Sequence, residues 1–398
     1  MTLSPPAIMS TPLRERSLAP DLARGLMLLL IALAHAHMFL AHHTTGFRGY
    51  AVDGSALDRI VAGLQVVFVD GRALPMFAAL FGYGLARLAE RRMRAGVEAP
   101  QAKRFVRRRS AWLLAFGFAH ALLLFFGDIL AAYGLIGLVF TGLLWSRDRT
   151  LIHTAWITAA AHVLVVAALG ASAEAAGHAN ASPTLVADPF EAAAMRLAVW
   201  SALTTTFYVV SVLPAFALGI WAARRDLLGE PSRHLPLLRR TALWGIAIGA
   251  AGGLPLMLVD TQLWHPDSVA AVTMYAVHSV TGLASGFGYA ALIAVICTRL
   301  AETGPSATRP GRGGGPVANA LAACGQRSLT CYLLQSIAFT AIFTPMAGNL
   351  GAHLGDAAAS GIAVLIWLVT VALAAWMAKA GMRGPFEVLL RRLTYGRS

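Results

Sequence analysis

Residues 26–40 read LMLLLIALAHAHMFL, a run without a single Asp, Glu, Lys or Arg. With Leu22, Ala23 and Gly25 ahead of it, the apolar stretch covers about 22–41. That matches the ~20 mostly uncharged residues a helix needs to cross a hydrocarbon core. Comparable runs recur at Trp112–Phe126, Leu130–Trp145 and Ile362–Met377. They are continuous rather than alternating, which excludes a transmembrane barrel and leaves helices that satisfy their own backbone groups. Composition agrees: 57% of residues are hydrophobic and only 13% charged, against about 25% charged in soluble domains. The expected fold is all-α, a polytopic membrane protein of about ten transmembrane helices.

The ten expected spans are 22–41, 73–89, 111–126, 129–146, 150–171, 198–221, 241–259, 269–297, 328–346 and 359–379. Leu57–Val69 carries Asp58 and Arg59 and is short, so it reads as an interfacial helix feeding the second span. Orientation follows from the excess of Lys and Arg in cytoplasmic loops. With both termini cytoplasmic, 28 of the 32 Lys and Arg fall inside, all but Arg48, Arg59, Arg72 and Arg196. Arg14 and Arg16 before the first span resemble a signal peptide, but the apolar run is too long and no A-x-A-like cleavage site precedes a soluble domain. The expected organisation is a tail over 1–20, a six-span bundle over 21–222 and a four-span part over 223–398. Gly304–Pro316 is a flexible cytoplasmic linker, and the Asn180-Ala-Ser182 sequon is a chance match.

The formal charge of +13 raises the question of nucleic acid. The charge tracks loop topology and lacks aromatic interleaving or a recognition motif, so the lipid bilayer is the expected partner and nucleic acid is not. Cys297, Cys324 and Cys331 show no metal spacing and read as small packing residues. No H-E-x-x-H, nucleophile elbow or Walker loop is present, and no metal is expected.

Ionisable groups inside spans are expensive and mark candidate sites. His35 lies ~21 Å beyond Asp21 at the helical rise, in the outer half of the membrane. His37 points roughly 200° away from it. Asp70 and Arg72 precede the second span, His120 lies on the third, and Asp128 follows Gly127 at the start of the fourth. His278 enters the eighth span from outside and Gln335 lies mid-way along the ninth. Each has a structural alternative: interhelical hydrogen bonds for His120 and His278, an interfacial ion pair for Asp70 and Arg72, a helix cap for Asp128. Depth along a helix does not say whether these groups converge laterally.

Asp21-Leu-Ala-Arg24-Gly25, nine residues, then His35 opens the chain. Leu80-Phe81-Gly82-Tyr83-Gly84, His120-Ala121 with Gly127-Asp128-Ile129-Leu130, Ser328-Leu-Thr-Cys-Tyr332-Leu-Leu-Gln335-Ser336, Gly384-Pro385-Phe386-Glu387 and Arg391-Arg392-Leu393-Thr394-Tyr395-Gly396 follow in order. Over about residues 20–396 this resembles the YeiB-like membrane proteins, carriers of the domain of unknown function 418. That family is grouped with transmembrane acyltransferases, which share the D-x2-R-G-x9-H opening with the His proposed as catalytic. His35 stands where many YeiB-like proteins have Asn, Arg72 where they usually have Lys, and Arg104-x2-Arg107 answers to the acyltransferases' R-x2-R pair.

The resemblance implies an acyltransferase of the bacterial plasma (inner) membrane that moves an acyl group from a cytoplasmic acyl-CoA donor to a small-molecule or glycan acceptor. Acyl-CoA is then a substrate, with no permanently bound cofactor. His35 would be general base, Asp70 or Asp128 its orienting carboxylate, and Gln335 an oxyanion donor, with His120 in the same layer. Arg24 and the Arg104–Arg109 run, with Arg104 and Arg107 foremost, would bind the donor phosphates, and Asp21, Arg72 and His278 would complete the substrate-binding surface. The alternative readings are a transporter or flippase using the same polar layer, and a noncatalytic membrane subunit. Oligomeric state is not encoded in these features.

Overall fold

The computed structural model describes residues 18–41, 44–178, 182–303 and 315–396. The Asn180 sequon, the His42–His43 pair, most of the 304–316 linker and the tail with Arg14 and Arg16 lie outside the described residues. The helices are α1 (Leu18–Ala36), α2 (Ala56–Phe68), α3 (Ala73–Arg94), α4 (Ala99–Leu123), α5 (Leu130–Val139), α6 (Asp148–Ala175) and α7 (Pro189–Ala202). There follow α8 (Val209–Arg224), α9 (Leu235–Asp260), α10 (Ser268–Thr303), α11 (Pro316–Gln326), α12 (Ser328–Phe343), α13 (Asp356–Lys379) and α14 (Pro385–Tyr395). Among the described residues the only β pairing is an isolated bridge between Thr45 and Ala51.

Seven segments are long and apolar enough to cross a membrane: Leu18–Phe39, Ala56–Arg94, Asp148–Ala175, Pro189–Arg224, Pro231–Asp260, Ser268–Glu302 and Asp356–Lys379. The other three expected spans fall on α4, whose first turns carry Lys103 to Arg109, and on the shorter apolar helices α5 and α12. Large apolar side chains face outward along the long helices, including Trp156 at 73%, Leu164 at 73% and Val369 at 66% exposure. Water does not tolerate such a surface over a whole protein, whereas lipid requires it. The chain is a polytopic helical membrane protein.

Leu57–Val69 falls on α2, capped by a reciprocal Ser55–Asp58 box and packed on α9 and α13. Ala62, Gly63, Gln65, Val66 and Val67 turn inward while Leu57, Ile60, Leu64 and Phe68 face out. A turn at Val69–Arg72, with Gly71 at φ +71°, leads directly into α3. Together α2 and α3 form one broken passage, Ala56–Arg94. Its charges escaped a length-and-charge reading because Asp58 is spent on the cap.

The chain's two halves interleave: α1 seats against α11 and α13, and α3 against α8. The α1–α11 crossing is an approach only glycine permits. A Cβ on Gly25 would lie 2.1 Å from the Leu321 carbonyl oxygen, and one on Gly325 would lie 1.8 Å from that of Asp21. Trp367 Nε1 donates to the Gly25 carbonyl at 3.0 Å and ties α13 to the same point. Basic residues gather at one end of the bundle, where α1 starts, α3 ends, α4 starts and α8 ends. Gly325→Ala should therefore cost roughly 1–3 kcal/mol through overpacking, read as a lowered unfolding midpoint in detergent. Gly361→Ala on α13, where a Cβ meets open space, should leave the midpoint unchanged or raised.

Candidate functional site

The polar centre begins with a turn. Phe126-Gly127-Asp128 reverses the chain between α4 and α5, and the buried Asp128 carboxylate works in two directions. Its Oδ2 accepts the Ala131 N–H at 2.7 Å, capping the first turn of α5. Its Oδ1 lies 3.0 Å from His120 Nδ1, one turn before the end of α4. On the other side of the ring, His120 Nε2 lies 2.8 Å from Ser336 Oγ on α12. A Cβ on Gly117 would lie 2.3 Å from Asp128 Oδ2, so glycine there is what lets the turn reach α4.

Asp128 Oδ1 faces Nδ1 as a close polar contact, short of hydrogen-bond alignment, and favours a proton on that nitrogen, which leaves Nε2 toward the serine hydroxyl. Serine, histidine and carboxylate therefore stand in series, the order of groups in which a base takes a hydroxyl proton beside an orienting carboxylate. The position of Ser336 is set from α14: Glu387 Oε1 accepts Leu329 N–H at 2.8 Å and Thr330 N–H at 3.1 Å, anchoring the start of α12.

A cavity of about 1060 Å³ runs into the bundle from its basic end. Eight arginines line it, among them Arg24, Arg92, Arg109, Arg327 and Arg391, against the four carboxylates Asp21, Asp226, Glu230 and Glu387. Arg24 pairs with Asp21 at 3.1 Å, and Arg87 reaches Asp226 at 3.4 Å. The Arg92 guanidinium stacks 3.3 Å from the Phe105 ring centre. Arg109 has no hydrogen bond or ion pair among the described residues, and Arg24 is the nearest cationic neighbour acting on it. Further in, the wall becomes apolar at Ile31, Phe77, Leu80, Phe81 and Leu113. From Arg92 to Phe77 along α3 is roughly 20 Å at the helical rise. The deep end is closed by Tyr133 and Tyr332, both buried; the Tyr332 hydroxyl meets the Ile129 backbone, while that of Tyr133 has no hydrogen-bond partner among the described residues. The Tyr332 ring lies 5.0 Å from that of His120. Beyond it, Phe39, Phe125, Phe339 and Phe343 stack into a plug at the far side, with Phe39–Phe125 centroids 5.1 Å apart.

Residues 222–397 match the family described as "Protein of unknown function (DUF418)". Across 96% of its length the chain is 26% identical to the uncharacterized protein YxaH of Bacillus subtilis (strain 168), covering 94% of that protein. It is likewise 26% identical to the uncharacterized protein YeiB of Escherichia coli (strain K12), over 96% of each chain. The chain is a YeiB-like protein with a DUF418 region. That region supplies Ser336, Arg327, Glu387 and Arg391, while His120, Asp128, Arg24 and Arg109 come from the part before it.

The structure of this YeiB-like protein brings some of the expected residues together and separates others. His120 and Asp128 are joined, and Asp21 and Arg24 line the cavity. His35 packs on Phe125 at 4.6 Å between rings and lies within electrostatic range of His120, but is not on the cavity wall. Asp70 does not orient His35; it pairs with Arg48 at 3.6 Å, folded back from the loop after α1. Beside it Tyr50 stacks on His37 at 4.2 Å, and burial followed by the Asp70 carboxylate pushes its phenol well above the ordinary value. Arg72 and His278 form a clasp rather than a binding surface. Arg72 contacts the Asp70 carbonyl and His278 and donates to the Gly249 carbonyl at 2.8 Å, while His278 Nε2 is 2.9 Å from the Val66 carbonyl oxygen.

Arg104 and Arg107 are exposed and off the cavity wall, which Arg109 occupies instead. Gln335 points its amide at Thr370 Oγ1, 3.2 Å away on α13, so it is not an oxyanion donor here. Ser336, Tyr133 and Tyr332 stand at or beside the deep end of the cavity without having been singled out in the sequence. A serine one place after Gln335 in an apolar run has no pattern separating it from a packing serine. Asp128→Ala strands the Ala131 N–H and removes the carboxylate that faces His120 Nδ1. The expected loss is roughly 1–3 kcal/mol per unsatisfied group, seen as a lowered unfolding midpoint that Asp128→Asn, which retains an acceptor oxygen, largely restores.

Proposed function

We propose that this protein is a membrane acyltransferase that draws an acyl-CoA type donor into the arginine-lined cavity from the cytoplasm. The carrying observation is the graded cavity: a cationic mouth, an apolar shaft, and the His120–Asp128 pair directly behind its deep end. Placing the basic end in the cytoplasm follows the topological excess of Lys and Arg, and in a bacterium the bilayer is the plasma (inner) membrane. A donor of this class carries phosphates at one end and a thioester with an acyl chain at the other. The surplus of four positive charges suits the first and the Ile31–Phe77–Leu113 wall the second. Arg109, lacking an internal ion pair, is the guanidinium most available to a phosphate.

At the deep end His120 acts as general base through Nε2, held by Asp128. The Tyr332 and Tyr133 hydroxyls are donors placed for the thioester carbonyl as charge develops on it. His35, through Phe125, positions the far side of this centre. The acceptor is a small molecule or glycan presented from the outer face.

Two measurements test this reading. Radiolabelled acetyl-CoA should bind the purified protein in lipid nanodiscs, more weakly as salt rises. Arg109→Ala should raise Kd about tenfold, the loss of one charge-assisted bond. Acyl transfer in inverted membranes should fall about 100-fold or more in His120→Gln. Absence of saturable acyl-CoA binding, together with solute counterflow in proteoliposomes that Arg109→Ala abolishes, would replace the enzyme with a transporter.

A further inference from the structure

We propose that Ser336 is a nucleophile that carries the acyl group as a covalent ester between donor and acceptor. The identity of the donor rests on the acyltransferase reading; the nucleophile rests on geometry. Three elements that are distant in sequence converge on it: α12 brings the hydroxyl, α4 the imidazole and the turn before α5 the carboxylate, at 2.8 and 3.0 Å. A packing serine in an apolar helix bonds back to the carbonyl four residues earlier and needs nothing more. Ser336 has that carbonyl available on Tyr332, but at 3.3 Å it is the longer contact, and the imidazole nitrogen is nearer. The Asp128 carboxylate beside Nδ1 favours a proton there, which leaves Nε2, 2.8 Å from Ser336 Oγ, to accept the hydroxyl proton. Burial makes an idle arrangement of this kind costly: His120 is 3% exposed, Asp128 fully buried and Ser336 5% exposed.

The steps balance. Ser336 Oγ attacks the thioester carbonyl carbon while its proton passes to His120 Nε2, and Asp128 stabilises the resulting imidazolium. The tetrahedral intermediate, its oxyanion facing the Tyr332 hydroxyl, collapses with cleavage of the C–S bond. The leaving thiolate takes the proton from Nε2 and departs as free thiol, leaving an acyl ester on Ser336. An acceptor hydroxyl then gives its proton to Nε2 and attacks the ester carbonyl. The C–O bond to Ser336 breaks and the serine oxygen recovers that proton.

A covalent relay also answers the problem of two sides. The cavity opens at the basic end and stops at Tyr332, one turn of α12 short of the serine, while the Phe39, Phe125, Phe339 and Phe343 plug lies on the other side. Donor and acceptor entering from opposite faces need not occupy the centre together if Ser336 holds the acyl group between them. Movement of the Tyr332 side chain is what would join cavity and serine.

The test uses the full chain in detergent with a fluorophosphonate probe and, separately, with radiolabelled acetyl-CoA. Both should label the wild type. Peptide mass spectrometry should place the adduct on Ser336, and hydroxylamine should release the acyl label. Ser336→Ala should lose all labelling while remaining monodisperse with an unchanged unfolding midpoint; Ser336→Thr serves if that variant misfolds. Asp128→Asn should slow labelling about 100-fold or more. Fluorophosphonate labelling of Ser336 without acetyl-CoA labelling would uphold the nucleophile and remove the CoA donor. Acyl transfer that persists at the wild-type rate in folded Ser336→Ala would overturn the nucleophile and leave the acyltransferase intact. Failure of both probes on folded wild-type protein would also overturn it.

Discussion

A polar group inside hydrocarbon must find its partner within the protein, and this requirement sorts every buried charge in the bundle. Asp260 accepts the Phe47 and Arg48 N–H groups at 2.9 Å, and Asp356 accepts that of Ala51 at 3.1 Å, so these carboxylates sew the loop after α1 onto α9 and α13. Arg72 spends its donors on the turn between α2 and α3. Such groups are consumed by architecture. The Tyr133 hydroxyl and the Arg109 guanidinium are not, and both line the same cavity. Where the protein leaves a buried polar group unsatisfied next to empty space, a ligand or water takes the role the chain declines.

Asp128 shows why helix capping and catalysis need not be rival explanations. One oxygen completes the first turn of α5 and the other holds the His120 ring, so the cap fixes the carboxylate in space before the imidazole uses it. Rigid supports of this kind are what hold a reacting group to within tenths of an ångström. Gly117 and the Glu387 anchor on α12 act at one remove, setting how closely the turn and the serine approach the ring.

The helical class, the membrane and the layer of buried His and Asp were legible because apolar run length and helical rise are one-dimensional quantities. What sequence could not supply was rotation about each helix. Arg104 and Arg107 share a face because they are three residues apart, whereas Arg109 lies roughly 200° around from Arg107, and only that face meets the cavity. Gln335 and Ser336 are separated by roughly 100°, enough to send one to Thr370 and the other to His120. Asp70 was misassigned for a different reason: the loop carrying Arg48 folds back through space onto it, and loops carry no periodicity to forecast that.

The placement of charge along the cavity bears on how a two-sided reaction can run without leaking. A continuous polar channel through the bundle would pass ions and protons, while the stacked phenylalanines beyond His35 form an apolar barrier on the far side. The arginines gather at the opposite end, held by pairs such as Arg24–Asp21 and, for the buried Arg92, by stacking on Phe105. The strongly charged part of the site is thus kept at the edge of the membrane and only neutral or internally paired groups are carried inward. An acyl ester fits that division: it is uncharged, so it can rest beside the aromatic plug at a depth where a phosphate could not.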